Sequence, residues 1–547
     1  MSESKTKKFV HLNVHSDYSI KESVGKIKDY VARAKELGMK YLALTDSGDM
    51  HGITYFCKEC HKQGITPIIG CEVYLAPENN SLILLAENQI GYRNLVKIIS
   101  ESQRYLNAKP FIYKFDFEKY HEGIICLSGF NNSDVSQAIL ENDNDTAIDL
   151  IKEYIDIFGK DNFFLEIQNH GLDKERQLIK QLAKLSEILD IGLAATNDCR
   201  YVNKDDSYFH SLLQDLPWEY GKRDNSIAPL TTKEHYLKSP EEMAELFAEY
   251  QDAIDNTIKI AQRCKVNLGF EKLRLPQYSL PADYNDHDSY LRFLCEQALP
   301  SKYSEITPAI LQRLESELEA IKNIDYSRYF LITLDIINKL RQEHICNGFA
   351  EGPLTNSIVA YLLGITALDP IALHLPFEDF INITKYQIPN VKISIKYWHL
   401  ESAIDCIKDL YGSNCVAAIC ATGTMTAKGA IQDLSMALDI PLDEMRTVAK
   451  LVPFDLEIPL DEFLRKSDKL SKIYKSSDKI KHLIDMAIKL EGMPRLNSAD
   501  NKTIIISDKN INNYFPIVNI NKDVFAEIDE EQLQDWRFLK LEFITRR

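Results

Sequence analysis

Lys392 and Ser394 stand two residues apart in the segment FINITKYQIPNVKISI, residues 380–395, alternating with the apolar Val391, Ile393 and Ile395. That alternation has the period of a strand, so the two polar side chains share one face. A pair of carboxylates at this spacing would hold two divalent metal ions for phosphoryl transfer. A lysine and a serine would not. A second candidate group occupies the first two hundred residues: His15, Asp46, Glu72, His170 and Asp198 each follow a short apolar run. Five metal-competent side chains at strand ends suit a polynuclear metal site. Strand ends also collect polar caps, and spacing alone does not separate the two readings.

The elements that must position these residues alternate between strand and helix. The pattern predicts a strand over 9–14, a helix over 26–37, a strand over 41–45 ending at Asp46, and a helix over 53–63. A strand over 66–69 follows, with Glu72 placed just after a Gly-Cys turn. Later strands end near Ser128, Glu166 and Asp198. Such alternation argues an α/β layer or barrel whose site lies at the C-terminal ends of its strands. After His210 comes a polar connector with Pro217, Pro229 and a Lys/Asp-rich run, then amphipathic helices over 240–250 and 252–264. A linker with two prolines spans 270–281. From Tyr290 the chain is strongly helical, and LQRLESELEAIKNI carries apolar residues at helical spacing with a charged, solvated far face. Phe380–Ile395 reads as a loop, then Pro389, then the strand of Lys392 and Ser394.

At 547 residues the chain exceeds one core, so several domains are required. Its hydrophobic content of 45% and charged content of 27% are those of a soluble globular protein. The formal charge of -17 leaves any nucleic-acid contact to a local basic patch. The basic run over 465–482 is interleaved with Asp468 and Asp478 and reads first as a solvated helical face. Eleven cysteines show no paired metal spacing. Cys57 and Cys60 form a lone CxxC, which reads as reduced, buried thiols rather than half of a zinc site. The opening MSESKTKK has no apolar signal core and no run is long enough to span a bilayer, so a cytoplasmic protein is expected.

The wording of the segments FVHLNVHSDYS, LALTDSGDMHG, TPIIGCEVYLA, LLAENQIGYRNLVKI, LEIQNHG and LAATNDCRYV resembles the polymerase-and-histidinol-phosphatase (PHP) domain. More narrowly, it is similar to the N-terminal domain of bacterial DNA polymerase III alpha subunits. The resemblance implies a PHP-type distorted (β/α)7 barrel over 1–210. It implies a connector over 211–289, a helical thumb-like region over 290–345 and an α+β polymerase palm-like region with partial fingers over 346–547. Intact PHP domains bind up to three metals and hydrolyse phosphoesters. Carried over residue by residue, His15, Asp46, Glu72, His170 and Asp198 stand at ligand positions. Asn13, Ser47 and Ser81 replace ligand histidines, Phe130 replaces a cysteine, and Arg200 replaces the histidine two after Asp198. Arg200 puts a permanent cation where a metal would sit, and Phe130 has no lone pair. The retained set suits one divalent ion (zinc, manganese or iron) rather than three.

SIVAYLLGITALDPI, LPFEDFIN, IPNVKISI, ICATGTMTAKGAIQDL and AKLVP resemble the palm and early fingers of the same family, in order. There the resemblance implies a Gly-Arg-Gly-Ser loop that cradles triphosphate. Here the loop reads Ala350, Glu351, Gly352 and Pro353; Glu351 reverses the charge and Pro353 removes a backbone donor. The two metal-binding aspartates fall at Lys392 and Ser394, and the third carboxylate, in WRFLKL, at Arg537. Magnesium is not expected at such a palm site. A basic residue is replaced by Gln432, Lys428 remains as a weak nucleotide or DNA contact, and NSADNK replaces a glycine-rich stretch. Lys392 and Arg537 are expected to pair with an acid such as Glu351 or Asp433. The rest of the family's fingers, its clamp-binding segment and its OB fold are not in the sequence.

Three readings follow. The first is an alpha-subunit-like protein of replication or repair, inactive in DNA synthesis. It would act as scaffold or regulator through PHP-mediated contacts with replisome or repair proteins, a proofreading exonuclease among them. Its contact with DNA would be weak and with membrane absent. The second is a metal-dependent phosphoesterase of the PHP domain, and the third is a DNA polymerase, as the family name implies.

Overall fold

The structure is a computed structural model that describes residues 8–78, 80–103, 110–219, 222–223, 229–270, 272–346, 349–384, 388–520 and 523–546. The N-terminal residues 1–7 and parts of the Lys/Asp-rich connector and of the 380–395 segment lie outside the described residues. The chain forms two compact units, neither contiguous in sequence: 1–267 with 422–497, and 268–421 with 498–547.

In the first unit the strands β1 (Tyr41–Leu44), β2 (Thr66–Leu75), β3 (Asn80–Ala86), β4 (Phe111–Ile112), β5 (Ile124–Leu127), β6 (Phe163–Gln168) and β7 (Gly192–Thr196) form one seven-stranded sheet. Its order is β1-β2-β3-β5-β6-β7, with β4 beside β2. Only β3 runs against its neighbours, antiparallel to both β2 and β5. The runs YLAL, SLILLA and IICL are buried on both faces, as continuous apolar strands must be. This is the PHP-type distorted barrel.

The segment 9–14 closes the sheet without being a regular strand. Ala43 and Thr45 of the β1 edge donate to the carbonyls of His11 and Val14, and beyond β7 the amide of Cys199 donates to Asn13. Two of the segment's own donors go to side chains instead: Val10 N–H to Thr257 Oγ1 at 3.2 Å and Val14 N–H to Thr45 Oγ1 at 2.8 Å. The hydroxyls satisfy the backbone and interrupt the ladder. Gly70 and Cys71 likewise form no turn. They lie inside β2, so Glu72 is a strand residue opposite Ile83. A Cβ on Gly70 would come within 2.6 Å of the Leu84 carbonyl oxygen, so the glycine serves close strand approach. The helix Gln251–Arg263 then packs Ile260 and Ala261 into the barrel interior among Val10, Leu12 and Ala194.

The same unit carries a short antiparallel ribbon, β8 (Pro217–Glu219) with β9 (Lys222–Arg223), and a helical layer, Ala427–Ala437, Leu442–Ala449, Leu460–Lys466, Asp468–Tyr474 and Asp478–Leu490. Its core continues into the helix Ser207–Gln214 and Val24. Among the described residues no helix is long and apolar enough to cross a membrane.

The second unit is built on β10 (Ala350–Glu351), β11 (Val391–Lys396), β12 (Val416–Thr424), β13 (Pro494–Ile506), β14 (Ile517–Ile520), β15 (Asp523–Ala526) and β16 (Leu539–Arg546), in the order β10-β11-β16-β13-β12-β15-β14. The helices His287–Lys302, Pro308–Asn323 and Ser327–Gln342 share its core with Val391, Ile393, Leu541 and Phe543. This is the palm-like sheet with its helical region. Phe380 is helical rather than in a loop: the helix Glu378–Thr384 packs its ring, fully buried, against Phe330 and Phe377.

Arg274 holds the 268–281 segment to this unit. Its guanidinium donates to the carbonyls of Leu268, Gly269 and Trp536 at 2.6–2.7 Å and lies 4.9 Å above the Trp536 ring. The carbonyls and the aromatic face solvate the charge in place of water. Arg274→Met is expected to lower the stability of the sheet unit by about 3 kcal/mol, since buried carbonyls lose their donors. The midpoint of urea unfolding followed by tryptophan fluorescence checks this.

Candidate functional site

The mouth of the barrel gathers His15, Glu72 and Asp198, with Asp46 beside them. His15 Nε2 lies 2.9 Å from Asn13 Oδ1, 3.3 Å from Asp198 Oδ1 and 3.9 Å from Glu72 Oε2. Asn13 is oriented by donating Nδ2 to Glu166 Oε1 at 3.0 Å, which leaves its Oδ1 to accept. All three neighbours of His15 Nε2 therefore accept, so that nitrogen carries the proton. Nδ1 faces the Ser19 and Ser47 hydroxyls at 3.4 and 3.3 Å. Burial, reinforced by Arg200, lowers the imidazole of His15 to about 4, so it is neutral near pH 7.

Arg200 occupies the centre. Nε is 2.7 Å from Asp198 Oδ1, Nη1 3.0 Å from Glu22 Oε2 and Nη2 3.7 Å from Glu72 Oε2. Burial alone would raise the Asp198 carboxyl, but Arg200, His235 and His15 outweigh it and hold the group well below the usual range. Tyr74 Oη donates to Glu72 Oε2 at 3.1 Å, and Ser47 Oγ lies at the same distance from that oxygen. Three carboxylates from three parts of the chain thus face one fixed cation.

Asp46 and His170 are engaged elsewhere. Asp46 accepts from the Ser16 amide, the Ser16 hydroxyl and the Ser19 hydroxyl at 2.6–2.8 Å. Burial raises its carboxyl to about 7 against the pull of those donors. His170 Nδ1 lies 2.8 Å from Glu175 Oε1 and Nε2 3.1 Å from the Asn197 carbonyl, so both nitrogens already have protein partners. Its ring stacks on His235 at 3.9 Å. Burial raises the Glu175 carboxyl, and His170 more than reverses this.

Among the described residues no three His, Cys, Asp or Glu side chains are arranged to hold a metal ion. The five positions read as ligands are present, but a guanidinium and committed hydrogen bonds fill the space between them. As placed, Asp198 and Glu72 face Arg200, while Asp46 and His170 are bonded to other protein groups. Phe130 and Ser81 are simply buried. Cys57 and Cys60 are buried on the helix Ile53–Gln63, and burial pushes the Cys57 thiol up to about 12.

On the palm-like sheet β11 exposes Lys392 and Ser394 on one face, as the alternation requires. Lys392 Nζ pairs with Glu542 Oε2 at 3.1 Å, its register partner on the parallel strand β16. Ser394 Oγ donates to Glu351 Oε1 at 2.7 Å. Of the expected acids, Glu351 lies opposite Lys392 across the β10–β11 pair and accepts from the serine, and Asp433 pairs with Arg495 at 2.8 Å. Arg537 follows the helix Glu530–Trp536 in the left-handed region, with φ 53°, and donates Nη2 to Tyr326 Oη at 3.2 Å. Gly352 has φ 87° and Pro353 opens the short 3-10 turn Pro353–Asn356, so the loop follows β10 as a tight turn. Lys428 is half-buried in the first turn of Ala427–Ala437, in the first unit. In the run 465–482, Arg465 and Lys466 pair one turn back with Asp461 and Glu462, as a solvated helical face does.

Glu22, Tyr74, Glu175, His235 and Glu542 belong to these sites and were not singled out from the sequence, and Glu166, read there only as a strand end, lies within β6. Only Glu542 carried a signal, since it alternates with the apolar Leu541 and Phe543.

A distorted barrel with a polar mouth, followed by a mixed sheet that pairs Lys392 with Glu542, defines a PHP-domain protein with a polymerase-like second half. Residues 11–170 match the PHP domain family and residues 289–545 the bacterial DNA polymerase III alpha NTPase domain. Over 98% of its length the chain is similar to bacterial DNA polymerase III alpha subunits. It is 34% identical to DNA polymerase III subunit alpha of Borreliella burgdorferi, an alignment covering 98% of this chain and 48% of that one. With the Treponema pallidum subunit it is 33% identical, covering 98% and 47%. The chain thus spans about half the length of the curated relatives it matches. Among solved structures, an amidohydrolase from Chromobacterium violaceum aligns at 14% identity and a TM-score of 0.26, over 36% of this chain and 89% of that one, too distant to carry an argument.

The site offers one pH test. Burial lowers His210 to about 4, although the Glu22 carbonyl, 2.8 Å from Nε2, pulls it up. The unfolded imidazole titrates near 6.5. The folded value is the lower one, so the unfolded chain binds more protons between them. Stability is therefore lost as pH falls from 6.5 through 4, by on the order of 3 kcal/mol. His210→Gln keeps a donor but not the titration. Wild type should be the more stable at pH 7.5 and the less stable at about pH 4.5, by thermal unfolding.

Proposed function

We propose that this chain is an alpha-subunit-like protein of DNA replication or repair that does not synthesise DNA. It works as a scaffold or regulator through contacts of its PHP domain with replisome or repair proteins. The observation that carries this reading is the Lys392–Glu542 ion pair beside the Ser394–Glu351 hydrogen bond. At the two positions where magnesium would need oxygen ligands, an ammonium and a hydroxyl are already paired with the nearest acids. A divalent cation would have to displace Lys392, and Ser394 offers it one neutral oxygen in place of a charge. The barrel mouth supports the reading too, since Asp198 and Glu72 face Arg200 while Asp46 and His170 are bonded to other protein groups.

The family's usual activity supplies the second reading, because the relatives carry the name DNA polymerase III subunit alpha. Primer extension on a templated substrate with magnesium or manganese separates the two. The expected result is no extension by the purified chain, together with recovery of a replication or repair protein when the tagged chain is used as bait in cells. Extension that survives repurification and is lost in Glu542→Ala or Lys392→Ala would establish the polymerase instead.

A further inference from the structure

Glu22 lies in the loop before the helix Ile27–Glu36, and its side chain and main chain face different neighbours. The carboxylate takes Arg200 Nη1 at 3.0 Å and the Ser47 hydroxyl at 2.9 Å. The carbonyl accepts from His210 Nε2 at 2.8 Å, on the helix Ser207–Gln214. Just beyond, Ser23 Oγ donates to the His15 and Arg200 carbonyls, and the Val24 amide donates to the Arg200 carbonyl at 3.0 Å. Val24 itself is buried in the core shared by Phe209, Leu212, Ile431 and Ile484. Lys26 Nζ reaches the Glu491 carbonyl at 3.0 Å, at the end of the helix Asp478–Leu490. Four residues of the segment 22–26 therefore join the ion cluster to the helical layer, all within one compact unit.

We propose that Arg200 is the resident cation of the barrel mouth and that its ion pair with Glu22 fixes the seat of the helical layer 427–490. A fixed guanidinium suits this task where a metal ion would not, because its planar fork aims separate donors at Asp198, Glu22 and Glu72. Its charge persists at every pH the fold survives. Removing it leaves three carboxylates facing one another with little access to water, and the arm most free to swing away is Glu22, which sits on a loop. Once that loop moves, Val24 leaves the shared core and His210 loses its acceptor. Lysine would supply the charge but not the three directions.

The full chain provides the test, by thermal unfolding and by hydrogen exchange read by mass spectrometry. Arg200→Met should lower Tm by on the order of 10 °C, and Arg200→Lys should recover part of the loss. Glu22→Gln removes one arm and keeps the carbonyl that His210 uses, so it remains informative if Arg200→Met does not fold. It should lower Tm less, yet still raise exchange in 207–214 and 478–490 while leaving β1 and β7 protected. Wild-type Tm should not change on dialysis against EDTA or on adding zinc or manganese. Unchanged exchange in the helical layer of Glu22→Gln, or a wild-type Tm lowered by EDTA or raised by either metal, would overturn the proposal.

Discussion

A buried carboxylate must find a cation or a set of donors, and the mouth of the barrel is arranged around that requirement. Asp198, Glu22 and Glu72 come from the end of β7, the loop before the first helix and β2, and Arg200 meets all three. The side chains of this cluster are at most 18% exposed, so solvent supplies little of what the charges need. Breaking one partner of such a set costs several kcal/mol, mainly because the remaining charges stay buried. The positions of the segment 22–26, of the Ser47 turn and of the 198–200 turn all depend on this one guanidinium.

The palm-like sheet obeys a weaker version of the same rule. Lys392 and Glu542 are 37% and 30% exposed, and an ion pair in that setting contributes at most about 1 kcal/mol. What holds β11 against β16 is the opposite face, where Val391, Ile393, Leu541 and Phe543 are buried. Full burial of each such side chain contributes about 1.5–3 kcal/mol. Lysine and serine can therefore stand on the more exposed face of β11 without disturbing the strand. The apolar alternation specifies the sheet, and the polar face is free to change its chemistry.

That difference explains what was legible in the sequence. The strand of Lys392 and Ser394 was readable because alternation is a local property, and the helix 53–63 because its amphipathic period is too. The segment 9–14 was misread as a strand because its apolar residues do alternate with polar ones. Nothing local tells that Thr45 and Thr257 take two of its donors, the second 247 residues away. Gly70 was misread as a turn because a glycine needed for close strand approach looks the same in sequence as one needed for a positive φ. Arg200 was legible as a cation at a ligand position, but Glu22 was not. It lies in an aperiodic loop, and only the closed barrel brings the two together. Lys392 found its acid on β16, which a reading of nearby acids could not anticipate because strand order is not local.

The other polar residues of the barrel mouth obey the same requirement. Asn13 orients His15 while bonding Glu166, and Ser47 bonds Glu22 and Glu72. Arg200 binds Asp198 and Glu72, and His170 lies between Glu175 and the Asn197 carbonyl. Replacing the ligands at random would leave buried carboxylates uncompensated in most outcomes, and each such group is expensive. Here the replacements serve one another. Asn13, Ser47 and Arg200 agree in geometry as well as in charge, and that agreement keeps the buried acids of the barrel mouth compensated.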